Sequence, residues 1–519
     1  MYPICSPPLA LRASALYFFD EQKEFSFTIA TNQFYLNDLA PLAPRISRYQ
    51  PRGNFQVALH GTRPADPANP VNLSGTVTFA GASVVPTEGM KPLTDLNGTV
   101  TFAGSHLETS LISAKLGTTS LHCKGTLSDF SNPVVNVDFS SPLVDPADLG
   151  LKSTGGEFRP RRVQGNISYQ DQAIRINSLS AQINATRLAL SGTIKDLRRP
   201  RAELTVTSPH LELDDLLPLA RLEPEKPSPT GSGKPSLKAS LKADTGKLKE
   251  ITFEKLTSDL IYEDGILYLQ PLEFQALGGT IATKIRVDAA SGVAARYQVD
   301  YELRRISSQG LLKSLGVQKQ EVWGTLSAQG DLSARGNSPE ELKKSLLGSL
   351  SFHIENGSIR RFASLAKIFS ILNVSQLLKM HMPEMTSGGM PFSHITGTVA
   401  IKDGVFSTSD LFVKSEAMNI SAVGSMNLPQ DRLDVIVGVQ PLQAVDKVVN
   451  RIPIVGWILT GKDKSWITSY FEVTGPIGDP QVSVKTVSSM ATGVFNIFKR
   501  VFQLPAKLFT DTGAVILGQ

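Results

Sequence analysis

The chain has 519 residues, more than one hydrophobic core holds, so about two to four units are expected. Its 52 Lys and Arg against 47 Asp and Glu leave a net charge of +5. The basic residues are scattered and lack interleaved aromatics, so nucleic acid is not expected as a partner. With 41 Gly, 32 Pro and only 7% aromatic residues, the composition favours many short strands and turns over long helices. Cys5 and Cys123 form no CxxC pair, which excludes a disulfide framework and a zinc site. Two free thiols are favoured over a bridge between them. No window reaches the ~18 to 20 apolar residues of a transmembrane helix. Leu9–Phe19 is too short, contains Arg12 and lacks the marks of a signal peptide.

In chain order, the first signal is an internal repeat. Residues 74–81 read SGTVTFAG and residues 97–104 read NGTVTFAG. A longer unit then recurs between glycines 27 residues apart: Gly98 and Gly125, Gly165 and Gly192, Gly397 and Gly424. Each copy has the form of a strand, a turn and two more strands. Ser258–Ile285 is a degenerate copy that has lost the glycines. After the first two copies come strands between prolines, Pro133–Pro142 and Pro200–Pro209, each leading to a short helix signal. Asp148 and Asp215 in those signals are 67 residues apart, the same offset as Gly98 and Gly165.

Residues 221–235 (RLEPEKPSPTGSGKP) read as a linker or long loop. Ser338 caps a predicted helix that opens with Pro339 and two acids. Arg361–Met380 reads as a helix whose stripe holds Phe362, Leu365, Phe369 and Leu372. Gly397–Pro476 holds alternating runs broken by turns, with Asp403-Gly404 as a hairpin signal. The tail Val494–Phe509 sets Phe498, Val501 and Phe502 beside Lys499 and Arg500.

The search for catalytic chemistry finds nothing that holds. The seven His are scattered, and HExxH and GxSxG are absent. Ser364–Lys367 fits SxxK only inside the apolar helix, without partner motifs. Gly231–Lys234 lacks the first glycine of a phosphate loop, and Pro235 replaces its Ser or Thr. Asp264-Gly265 and Asp403-Gly404 read as turns, since no further acids follow at calcium-ligand spacing. We therefore expect no enzyme activity, cofactor or metal.

The C-terminal third resembles the AsmA-like family, whose larger relatives include TamB and YhdP. The matching features are Gly348–Gly357 (GSLSFHIENG), the apolar helix after it, Ile401–Val405 (IKDGV), Gly424–Leu428 (GSMNL), Ile452–Gly456 (IPIVG) and Val473–Pro480 (VTGPIGDP). The rest of the chain matches in repeat style only. The resemblance implies a β-rich groove in the periplasm that moves phospholipid between the inner and outer membranes. It also implies an inner-membrane anchor helix that this chain lacks.

The fold expected is mainly β: an elongated, repetitive, curved antiparallel sheet with an apolar groove and a few short helices towards the C-terminus. The segments are 1–220, a linker at 221–236, 237–340, the family-like 341–486, and an amphipathic tail at 487–519. Alternation alone leaves a β-sandwich open beside the groove. On the groove reading, Val100, Phe102, Leu111, Leu121, Ile167, Leu188, Leu190, Val399, Ile401 and Ile420 line the apolar side. Phe362, Leu365, Phe369 and Leu372 border its end. The tail has two readings: a plug on the sheet, or an interfacial helix whose Phe498, Lys499, Arg500, Val501 and Phe502 contact a membrane. The function expected is non-enzymatic handling of phospholipid. The alternative is a β-rich scaffold for outer-membrane protein assembly or envelope integrity, with envelope proteins as partners.

Overall fold

The computed structural model describes residues 10–503 apart from 18–24, 36–48, 64–71, 87–88, 131, 154–155, 197–198, 220–221, 226–234, 290–293, 318–321, 361–366, 369–388, 417, 443–456 and 460–466. The chain is mostly β-strand and divides into two compact units, Met1–Leu248 and Lys249–Gln519.

In the first unit, strands join their neighbours in chain order from Leu11–Tyr17 to Arg201–Glu212, antiparallel throughout. The last pairing differs: Arg201–Glu212 lies parallel to Ser236–Leu248. This corrects the all-antiparallel expectation. A parallel return needs a crossover of about a dozen residues or more, and residues 213–235, which include the linker, supply it. In the second unit, Ile251–Glu263 to Gln481–Lys485 form an antiparallel ladder. Among the described residues no pairing closes either ladder into a barrel. Among the described residues the strands of each unit belong to one main hydrogen-bonded sheet and not to the two separate sheets of a sandwich.

The 27-residue glycine spacing has a structural cause. Thr109 pairs with Gly125 and Ile112 with Cys123, so two residues oppose one across the pair. This is a β-bulge, which bends and twists the strand that carries it. The same bulge falls between Ile176 and Leu179, and between Thr408 and Leu411. The glycines face it from both sides: Gly98 pairs with Ile112 and Gly165 with Leu179. A Cβ on Gly98 would come 2.9 Å from the Leu111 carbonyl oxygen, and one on Gly165 2.7 Å from that of Ser178. At these two positions any other residue would push the strands apart.

The 67-residue offset also has a cause. The short helix Pro146–Leu149 delivers Asp148 to the turn between two strands of its own repeat. Its carboxylate accepts hydrogen bonds from the Thr118 and Thr119 amides at 2.9 and 3.0 Å and from their hydroxyls at 2.9 and 2.8 Å. One repeat later, Leu213–Leu216 delivers Asp215 to the Ala185 and Thr186 amides, each at 3.2 Å, and to the Thr186 hydroxyl at 2.9 Å. The extensions Leu151–Ser153 and Leu222–Pro224 then pair with each other. In the second unit Ser338 caps Pro339–Lys344 by accepting from the Glu341 amide at 3.3 Å. The Asp264-Gly265 and Asp403-Gly404 turns both take positive φ, as two-residue hairpins require.

Burial would raise the Asp148 pKa, but the hydrogen bonds from Thr119 and Thr118 outweigh it and hold the carboxyl below its ordinary value. A depressed carboxyl stabilises the fold above its unfolded pKa of about 3.9 and loses that contribution as pH falls through the folded value. Asp148→Asn is therefore expected to lower unfolding stability at pH 7 by roughly 1–3 kcal/mol. In denaturant titrations the gap to wild type should narrow as pH drops below about 4. A gap of equal size at pH 3 and pH 7 would show that charge plays no part in the latch.

Candidate functional site

Residues directly opposite in an antiparallel pair share a face. By that rule Val100, Phe102, Leu121, Ile167, Leu188 and Leu190 lie on one face of the first unit. Val100 faces Val77, and Phe102 faces Leu107. Leu121 faces Ala114 and Ile167 faces Val137. Leu188 faces Ala181, and Leu190 faces Leu179 and Val206. The other face carries Lys124, Asp138 and Asn166, joined by hydrogen bonds and ion pairing.

Leu111 is a correction. It sits inside the bulge, 58% exposed, next to Ile112 and so on the opposite side. There it borders a hollow with His122, Lys124 and Asp138. Simple alternation assigned it to the apolar face because the extra residue resets the phase.

Burial is graded along the strands. At the end held by the aspartate latches, Leu116 and Ile183 are 3% and 5% exposed. Further along the same face Val100, Phe102, Ile167, Leu188 and Leu190 are only half-buried. The first unit thus has a closed apolar band at one end and a partly open apolar surface beyond it. In the second unit the register sets Val399, Ile401 and Ile420 on one face. Val399 is half-buried, but Ile401 and Ile420 are 6% and 3% exposed and belong to closed core.

The C-terminal helix Thr492–Gln503 lies on the opposite face from Ile420. It packs Phe498 against Val423, Tyr470 and Met490. The Phe498 and Tyr470 rings meet edge-on at 5.2 Å, and Phe502 meets Phe412 edge-on at 6.4 Å. Gly438 makes the room, since a Cβ there would stand 3.0 Å from the Phe502 ring. This overturns the membrane-contact assignment for the apolar residues: Phe498 and Val501 are 0% and 4% exposed. Only Lys499 and Arg500 of that set point outward. The amphipathic stripe meets the sheet and not a bilayer, which is the plug alternative.

Phe362, Leu365, Phe369 and Leu372 lie outside the described residues. Of that stretch Lys367 and Ile368 are described, and both are helical. Ile368 is fully buried, and the Lys367 ammonium donates to Asp479 at 2.9 Å and to the Pro480 carbonyl at 2.6 Å. The lysine of the SxxK match thus holds the turn that ends the VTGPIGDP motif. Sequence reasoning missed His353 and His394, whose rings stack at 5.8 Å and whose pKa values burial lowers. Among the described residues no group of three or more His, Cys, Asp or Glu is placed to hold a metal, and no helix is long and apolar enough to cross a membrane.

Among family models, that described as YhdP protein matches residues 151–482, more than half of the chain. No curated protein and no solved structure matches the chain.

Burial pushes the Tyr470 hydroxyl up to about 12. Phe498→Ala is expected to cost about 3–5 kcal/mol of stability in the second unit. It should also bring one tyrosine of the alkaline ultraviolet titration from near 12 towards the ordinary value of about 10. An unchanged titration and unchanged stability would mean the helix is not seated on Tyr470.

Proposed function

The chain belongs to the YhdP family of AsmA-like envelope proteins, and on that premise we propose that it works in the periplasm, holding phospholipid acyl chains on the apolar face of its sheet. The observation that carries the reading is the half-buried apolar surface of the first unit. It continues across strand after strand, with Val77, Val100, Val137 and Ile167 on the same side. Removing one methylene from water gains about 0.8 kcal/mol, so a dozen methylenes gain up to ~10 kcal/mol when fully covered. An acyl chain needs no polar ligand to be held this way.

Val100→Asp, Ile167→Asp and Leu190→Asp, each made singly, should cut photo-crosslinking to phospholipid at least about tenfold. Each places a charge where the ligand offers no partner. The circular dichroism of the sheet should persist, because these positions are half-buried. Leu111→Asp, on the other face, should crosslink like wild type. Equal crosslinking by all four variants would sink the assignment. Purified protein free of lipid and unable to take any up would favour the scaffold reading.

A further inference from the structure

One cross-strand row runs beside the bulge in every repeat. In the first copy it reads Gly98, Ile112, Cys123, Phe139, each paired with the next. In the second it reads Gly165, Leu179, Leu190, Val206. The copy at Gly397 continues it as Leu411, Ala422, Val437. None of these side chains carries a hydroxyl.

The degenerate copy departs from this. There the row reads Ser258, Leu272, Thr283, Tyr301, paired in the same way. A hydroxyl stands where the first copy has Gly98, Cys123 and Phe139. The bulge is kept, between Leu269 and Leu272, so the row occupies the same place relative to it. On either side along the strands the face is apolar, with Leu269 and Phe274 on one strand and Ile281 and Ile285 on the next.

Two of these hydroxyls are orphaned. Ser258 is 4% exposed, and neither its Oγ nor the buried Thr283 Oγ1 has a hydrogen-bond partner. The Tyr301 hydroxyl donates to the Ser349 carbonyl across a long 3.4 Å. A buried hydroxyl with no partner destabilises the fold, and native proteins keep few of them. In the other copies the row itself folds without any, although the first copy has an orphaned Thr109 hydroxyl on the other flank of its bulge.

We propose that this row is where the second unit grips an ester carbonyl of a bound acyl lipid, with the Ser258 hydroxyl or, two strands away, the Thr283 hydroxyl donating to the carbonyl oxygen. The proposal rests on the lipid reading above and adds a point of register to it. An apolar surface holds a chain at any position along its length, whereas a donor in that surface holds it where the chain meets its ester. Leu272 stands between the two donors in the row.

The test compares a diacyl phosphatidylethanolamine with its dialkyl ether analogue, matched in chains and headgroup, as competitors for the full chain. Wild type should retain the ester lipid about fivefold better than the ether lipid, the ratio one hydrogen bond supports. Ser258→Ala with Thr283→Val should retain both equally, at the level of the ether lipid on wild type. The thermal midpoint of that variant should be unchanged or raised, since the orphaned hydroxyls are gone. Equal retention of the two lipids by wild type overturns the proposal and leaves the lipid reading standing. A fivefold preference that survives the double substitution overturns it as well. If wild type retains neither lipid, both readings fail.

Discussion

The bulge that recurs in every repeat is the constraint on which the rest of the structure depends. A β-ladder that continues over many strands has to take up twist and bend without breaking its hydrogen bonds. This chain does so at a fixed place, by giving one strand of each repeat an extra residue. At Gly98 and Gly165 the strands on either side come too close for a Cβ, whereas the degenerate copy keeps its bulge with Ser258 in that place. The 27-residue spacing is therefore the length of chain needed to run from one flank of the bulge to the other.

The latches divide the work along each strand. In the first unit the short helices bring Asp148 and Asp215 back over the turns at Thr118 and Ala185, which come earlier in the chain. Four donors converge on the Asp148 carboxylate. Buried serines add to the same end: Ser141 donates to the Leu143 carbonyl and Ser208 to those of Arg187 and His210. Backbone groups that a strand end would leave unpaired are thus satisfied locally, and the apolar band beside them closes. The rest of the face is freed from holding the unit together. Its half-buried state is compatible with stability because the closed end carries the core.

Much of this was legible from the residues. Repetition, the glycine spacing and the aspartate offset all follow from short-range patterns that the fold repeats. What was not legible has a physical reason in each case. Leu111 was misplaced because alternation has period two only while pairing is regular, and one inserted residue inverts every assignment up to the next reference point. The parallel pairing of Arg201–Glu212 was hidden because pairing direction is set by where residues 213–235 deliver the chain, which no strand pattern records. The tail was ambiguous because an apolar stripe suits a sheet and a bilayer equally. The discriminating signal lay in Gly438, a strand glycine that leaves space for the Phe498 and Phe502 rings.

Gly438 belongs to a wider pattern that explains how a glycine-rich sheet avoids being full of holes. A glycine in a strand weakens it and leaves a gap in its face, and an aromatic ring on the neighbouring strand fills such a gap well. Here the Phe139 ring lies where a Cβ on Gly165 would be, at 3.0 Å. Phe352 stands 3.3 Å from that point on Gly397, and Phe392 covers Gly357 at 2.5 Å. The glycines required by the bends are thus made good by rings one strand away, and the apolar surface stays continuous. Gly330 follows the rule with one change, because the group over it is the hydroxyl of Tyr301, 2.7 Å from the same point. Phe139 stands in the corresponding place of the first copy. The same device that seals the face elsewhere therefore brings a polar atom to it in the row of Ser258 and Thr283, at no cost to the continuity of the sheet.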